Sequence, residues 1–272
     1  MVWDVIVIPL CIYELFNTEG SFIYREIVSV MKCIAFAGMV IASLSCSLAA
    51  HADVVLSGTR IVFNQSAQEK TIRAQNEGKN PLLLQSWLDD GRENANPQEL
   101  KLPFVVTPPV GRLDPNHEQT LKITSLGGAL PADHESIFYL NILEIPPKPT
   151  DKQAESKNLL QLTFRTRIKM FYRPTALTDK GALDAISHVQ WTTNGKTITA
   201  RNDTPYYVSF SNCSLIVGGS KHKVNTEMLA PNSSHDFSVN GVSNVSPGTH
   251  IEWSALNDFG SVVHKDGQLT SH

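Results

Sequence analysis

Chemistry in this 272-residue chain would have to come from a thiol, from histidines or from a row of cations. Of the four cysteines, Cys11, Cys33 and Cys46 precede the main body of the sequence, which leaves Cys213 alone. A lone cysteine forms no internal disulfide and reads as a small buried hydrophobe rather than a nucleophile. The nine histidines (51, 117, 134, 188, 222, 235, 250, 264 and 272) are scattered, with no His-x-x-x-His, paired-Cys or Gly-x-Ser-x-Gly spacing. No catalytic group, metal site or cofactor is therefore expected. The cations are different. "QLTFRTRIKMFYRP", residues 161–174, alternates apolar and polar positions and runs into Arg167, Lys169 and Arg173. Leu160, Leu162 and Phe164 share one face of the strand that this pattern predicts, and Gln161, Thr163 and Arg165 share the other. The apolar row can face the core of its own sandwich, or it can belong to an edge kept open for another chain.

The elements that position these residues are strands. "VVLSGTRIVF", "KTIRAQNEG", "PLLLQSWLDD", "KLPFVVTPPV", "QTLKITSL", "SIFYLNILEIPP" and "NLLQLTFRTRIKMFYRP" give seven candidates separated by Gly, Pro, Asn and Asp breakers. Seven short strands with no long stretch of helical period predict an immunoglobulin-like sandwich. Arg173-Pro174 ends the last of them, because proline cannot donate to a ladder. Beyond it, "AISHVQWTTNG", "KTITARND", "PYYVSFSNCSLIVGG", "SHDFSV" and "HIEWSALNDFGSVV" predict a second set, with Asn194-Gly195 as a two-residue hairpin turn and no amphipathic helix. The fold class is all-β: two immunoglobulin-like β-sandwich domains in tandem, 53–173 and 174–272.

Ahead of them, residues 31–52 read "MKCIAFAGMVIASLSCSLAAHA", with a basic start, an apolar middle and an Ala-x-Ala end. That is an export leader, so the mature chain is expected to begin at Asp53 and to insert in no membrane. Residues 1–30 lack a basic start and are interrupted by Asp4; they read as an over-extended frame ahead of a true start at Met31. The first 52 residues hold two of the 23 basic and four of the 26 acidic residues, leaving 21 against 22. A near-neutral chain gives no support for nucleic acid or anionic lipid as a partner.

The stretch "LPADHESIFYLNILEIPP", residues 130–147, resembles the signature of the periplasmic pilus-assembly chaperones, the PapD-like family. "SGTRIVF", "PLLLQSWLDD", "FVVTPPVGRLDP", "RIKMFYRP" and "LNDFG" match further stretches of that family in order, over essentially the whole mature chain. The resemblance implies an interdomain cleft and a periplasmic chaperone without enzymatic activity. Such a protein caps pilus or fimbrial subunits by lending them a strand, here 159–171 with Leu160, Leu162 and Phe164 filling the subunit's groove, and delivers them to an outer-membrane usher. It also implies that Arg60 and Lys169 anchor the subunit's C-terminal carboxylate, and that Glu135, Arg173 and Asp258 form an ionic set between the domains. By parity, even-numbered residues of the lent strand face the subunit and odd-numbered ones the home domain. His134 departs from the family's usual residue at its position. The short "KPTDKQAESKN" connection, with no Cys in the flanking strands, resembles the short-loop subfamily. The competing class is a secreted two-domain structural or adhesive protein, which would need neither the Arg60/Lys169 pair nor the 130–147 stretch.

Overall fold

A computed structural model describes residues 53–148, 161–239, 241–242 and 244–272, all within one compact unit, Ala52–His272. Leu160, the leader, residues 1–30 and most of the "KPTDKQAESKN" connection lie outside the described residues. The first sandwich is built from β1 (Val54–Leu56), β2 (Arg60–Asn64), β3 (Glu69–Asn76), β4 (Leu82–Asp89), β5 (Phe104–Thr107), β6 (Val110–Leu113), β7 (Glu118–Ser125), β8 (Ser136–Ile145) and β9 (Phe164–Arg173). Its two sheets run β1-β3-β7-β5 and β2-β9-β8-β4-β6. Ile61, Phe63, Leu84, Leu121, Ile123, Leu140, Ile142 and Met170 fill the space between them.

Two of the seven stretches read as single strands are each two. In residues 54–63, the Ser57-Gly58-Thr59 break lets β1 pair with β3 while β2 crosses to the other sheet and runs parallel to β9. In residues 101–110, Pro108-Pro109 interrupts the ladder, so β5 joins β7 and β6 joins β4. Strands that change sheets couple the two layers of a sandwich at its edges.

The second sandwich follows after one turn of chain. Residues 179–188 contain a short helix, α1 (Asp179–Ala185), and a 3-10 turn (Ile186–His188), where a strand was expected from "AISH". The Thr178 side chain caps α1 by accepting from Gly181 N–H, and Asp179 places its charge in the first turn. Seven residues are too few to show a helical period. The strands are β10 (Gln190–Thr193), β11 (Ile198–Asn202), β12 (Phe210–Val217), β13 (Ser220–Lys223), β14 (Ser233–Phe237), β15 (His250–Leu256), β16 (Val262–Gln268) and β17 (Thr270–Ser271). Their sheets run β14-β11-β10-β17 and β13-β12-β15-β16 around Trp191, Ile198, Leu215, Ile251 and Trp253. The Asn194-Gly195 turn is four residues long rather than two. Asn194 Oδ1 accepts from the N–H groups of Lys196 and Thr197, which opens the loop to Thr197 before β11 begins. Among the described residues no helix is long and apolar enough to cross a membrane.

Candidate functional site

Strand β9 organises the site. It pairs with β8 from Phe164 to Tyr172, but with β2 only from Lys169 to Arg173. Over Phe164–Ile168, among the described residues, its other edge carries no partner strand. Unpaired N–H and C=O groups in a row are a template for another chain. Leu162 and Phe164 stand at this open end, each 56% exposed.

From Ile168 to Tyr172 the parity of β9 is the reverse of the sequence expectation. Ile168, Met170 and Tyr172 are buried in the home core, so the even positions face inward, and Phe164 continues that row beyond the point where the core closes over it. The odd positions, Arg165, Arg167, Lys169, Phe171 and Arg173, line the outer face. Thr163, expected to face the home domain, is exposed and belongs to no strand. The strand itself begins at Phe164 among the described residues rather than running from 159, and it ends at Arg173 rather than Phe171. Alternation in sequence cannot tell which side of a two-sheet sandwich is inside; the packing partner decides.

The outer-face cations are held in different ways. Arg167 makes a fork of 2.6 and 2.9 Å onto Asp89 and lies 3.6 Å from the centre of the Tyr139 ring. Burial pushes the Asp89 carboxyl up, but bonds from Arg167, Asn141 and Gly91 outweigh it and hold it below the usual range. Arg165 donates to Asn141 Oδ1 and to the Glu93 carbonyl. Lys169 has no such partner among the described residues. It sits in register with Arg60 on the neighbouring strand, so the two cations stand side by side on one face. Burial, then the charges of Arg60 and Arg167, hold the Lys169 ammonium below its ordinary value. Burial likewise lowers Arg60, against the pull of Asp258. Arg60 Nη1 donates to the Leu256 carbonyl of the second sandwich at 3.0 Å, its guanidinium lies over Phe171 at 5.8 Å, and its buried Nε has no partner among the described residues. Arg60 therefore keeps donor capacity in a half-buried place.

A cleft of about 280 Å³ opens between the sandwiches beside Arg60 and reaches Asp258 and Phe259; Lys169 lies on the sheet next to it and does not line it. The "NDFG" turn shapes its far side. Asn257 Oδ1 accepts from Phe259 and Ser261 N–H, Gly260 takes φ +81°, and a Cβ at Gly260 would run into the Thr59 side chain. Phe259 is thereby left 91% exposed.

Deeper in the junction, Arg173 Nε donates to Glu135 at 2.8 Å, Nη1 and Nη2 fork onto Asp258 at 2.7 and 2.9 Å, and Nη1 also reaches Asp179 at 2.6 Å. Glu135 Oε2 accepts from Tyr207 N–H of the second sandwich. Burial weakens the guanidinium's hold on its proton, yet the bonds to Asp258 and the charge of Glu135 more than offset it and raise its pKa. Asp179 and Asp89 were missed from sequence; the helix that places the first, and the strand register that aligns the second with Arg167, leave no mark in residue types. His134 bonds Asp133 at the surface and takes no part. Cys213 is buried, its thiol pushed up to about 12 by desolvation, so it stays a thiol. Among the described residues no cluster of His, Cys, Asp or Glu is placed to hold a metal.

Comparison with known proteins fits this arrangement. Residues 53–178 match the family described as "Pili and flagellar-assembly chaperone, PapD N-terminal domain", and residues 184–267 match "Pili assembly chaperone PapD, C-terminal domain". The chain is 40% identical over 223 residues to the protein named "Probable fimbrial chaperone YadV" of Escherichia coli strain K12, covering 80% of this chain and 90% of that one. It is 38% identical over 219 residues to "Chaperone protein FimB/FhaD" of Bordetella pertussis, covering 79% and 87%. A crystal structure of the YadV chaperone matches with TM-score 0.69 at 38% identity, over 80% of this chain and 100% of that one. A chain of the Salmonella enterica SafA pilin–SafB chaperone complex matches with TM-score 0.66 at 25% identity, over 79% and 96%. These relatives are chaperones, a non-enzymatic group.

Proposed function

The chain belongs to the PapD family of pilus-assembly chaperones, and from that premise we propose that it caps a pilus subunit by lending the open edge of β9. The observation that carries this reading is the stretch Phe164–Ile168, whose outer edge has no partner strand among the described residues, with Leu162 and Phe164 exposed at its start and the adjacent Lys169–Arg60 pair at its end. A subunit strand added there gains ladder hydrogen bonds along the edge. Leu162, Phe164 and the preceding Leu160 supply side chains to the subunit's groove, each worth roughly 1.5–3 kcal/mol when fully buried. Lys169 and Arg60 hold the subunit's C-terminal carboxylate: a guanidinium donates to it in two places, and the ammonium adds point charge. Glu135, Arg173 and Asp258 fix the angle between the two sandwiches, with the boundary after Arg173. The SafA–SafB complex supports a pilin as the class of partner.

In this reading the leader 31–52 is removed on export, the mature protein works in the periplasm, it uses no cofactor, and it hands its subunit to an outer-membrane usher. The short "KPTDKQAESKN" connection in the sequence supports a short-loop member. The test is recovery of the protein from the periplasm under native conditions, with its bound partner identified by mass spectrometry. A pilus subunit with its C-terminus intact is the expected partner. Recovery of the protein alone from cells expressing its pilus genes would count against capture.

A further inference from the structure

At the opposite end of β8 and β9 from Arg173, Glu144 is buried at 4% exposure. It follows Phe138, Leu140 and Ile142 on the inward face of β8, and its register neighbours are Leu84 on β4 and Phe164 on β9. Burial, then the nearby Asp53 carboxylate, raise its carboxyl to about 7, while a bond from Val54 N–H works the other way. From the elements packed around it, Asp53 on the approach to β1 is the one charged group acting on it, and no cation of the described residues does. Two carboxylates thus act on one another with no counter-charge among the described residues.

The backbone of Asp53 is held in place. Its carbonyl accepts from Glu77 N–H at 2.7 Å, and Val54 opens the β1–β3 ladder opposite Asn76. The Asp53 nitrogen is therefore one peptide unit, less than about 4 Å of chain, from the N–H that already reaches Glu144. In an unprocessed chain this nitrogen is a neutral amide. Hydrolysis of the Ala52–Asp53 peptide bond, with water supplying the new amine and carboxyl, turns it into an ammonium. We propose that Glu144 is the receptor for the α-ammonium of processed Asp53, so that leader removal supplies the missing cation and fastens β1 to the sandwich. The inference rests on the leader-removal reading above.

The two forms differ in their response to pH. In a chain extended before Asp53, a folded-state value of about 7 means that Glu144 contributes stability fully below its unfolded value, lost as pH rises through 7. In the processed chain the ammonium favours the ionised carboxylate and removes that loss. The stability is instead given up when the amine deprotonates, above about 8.

The experiment compares a chain released with Asp53 as its first residue and one retaining residues 49–52, each with Glu144 and with Glu144→Gln. Melting temperatures are read at pH 7.5. Glu144→Gln should lower the melting temperature of the Asp53-initiated chain by about 3 °C, and raise that of the extended chain by removing an uncompensated buried charge. A change of the same sign in both, or none in the Asp53-initiated chain, overturns the proposal. Titration of the Glu144 carboxyl at one pH in both chains, followed by carbon NMR, overturns it as well. N-terminal sequencing of exported material separately decides the processing reading; a first residue other than Asp53 refutes that reading, while the melting comparison still decides the pairing.

Discussion

Arg173 and Lys169 stand four residues apart on the same face of β9, in opposite circumstances. Arg173 is 2% exposed and gives its donors to three carboxylates, two of them in the second sandwich or the segment leading to it. Lys169 is half-buried beside another cation, with no acid to hold it among the described residues. One cation has its donors consumed within the fold; the other has them left over among the described residues, which is what the proposed carboxylate anchor requires. Residue type does not separate the two roles. What each charge already touches does.

The largest expected effect breaks the first half of that comparison. Arg173→Met leaves Glu135 and Asp258 facing one another without a cation, and removing one partner of a buried ion pair costs about 3–5 kcal/mol. Urea unfolding should show a loss of that size, and an unchanged midpoint would make the cluster dispensable to the fold. Arg60→Ala and Lys169→Ala break the second half. Each should cost about 2–5 kcal/mol of subunit affinity, thirtyfold to several thousandfold, while stability moves by less than about 1 kcal/mol. Competition pull-down and unfolding of the same variants separate the two.

A third pair sharpens the role of the open edge. Leu162→Glu should lose roughly 1.5–3 kcal/mol of capture with its fold intact by circular dichroism. Thr163→Glu, exposed and outside the ladder, should change folding by less than about 0.5 kcal/mol. Loss of fold in the second variant would restore the parity read from sequence. The smallest effect is in pH. Lys169 has a lowered value, so the free chaperone gains stability from its neutral form as pH rises, and this gain is lost as pH falls through that value. Carboxylate binding has the opposite slope and weakens as the ammonium is lost. Lys169→Arg should flatten the alkaline fall in capture, which binding measured across pH 7–10 would reveal.

Much of this was legible in sequence because strands advertise themselves. Alternation and Gly/Pro breakers located most of the ladder, and six separated stretches carried the family. Residues 54–63 and 101–110 defeated the strand count, since a strand that changes sheets looks continuous until its hydrogen-bond partners are known. α1 was too short to show a period. The parity of β9 held no warning of its reversal over Ile168–Tyr172: Phe164 and Met170 lie on one face, and only the extent of the opposing sheet decides that the first is exposed and the second buried. Arg60 and Lys169 lie 109 positions apart in the chain, and no spacing rule joins them; the parallel β2–β9 register does.

Whether Arg60 and Lys169 hold the subunit's carboxylate is decided by a double-mutant cycle. Subunits with native and extended C-termini are bound to wild-type chaperone and to the Arg60→Ala, Lys169→Ala double variant. If the cations act on the terminal carboxylate, extension and mutation each weaken binding, and the combination is little worse than either alone. If the two losses add, they act on separate contacts, and the paired cations of β2 and β9 do not hold the subunit's terminus.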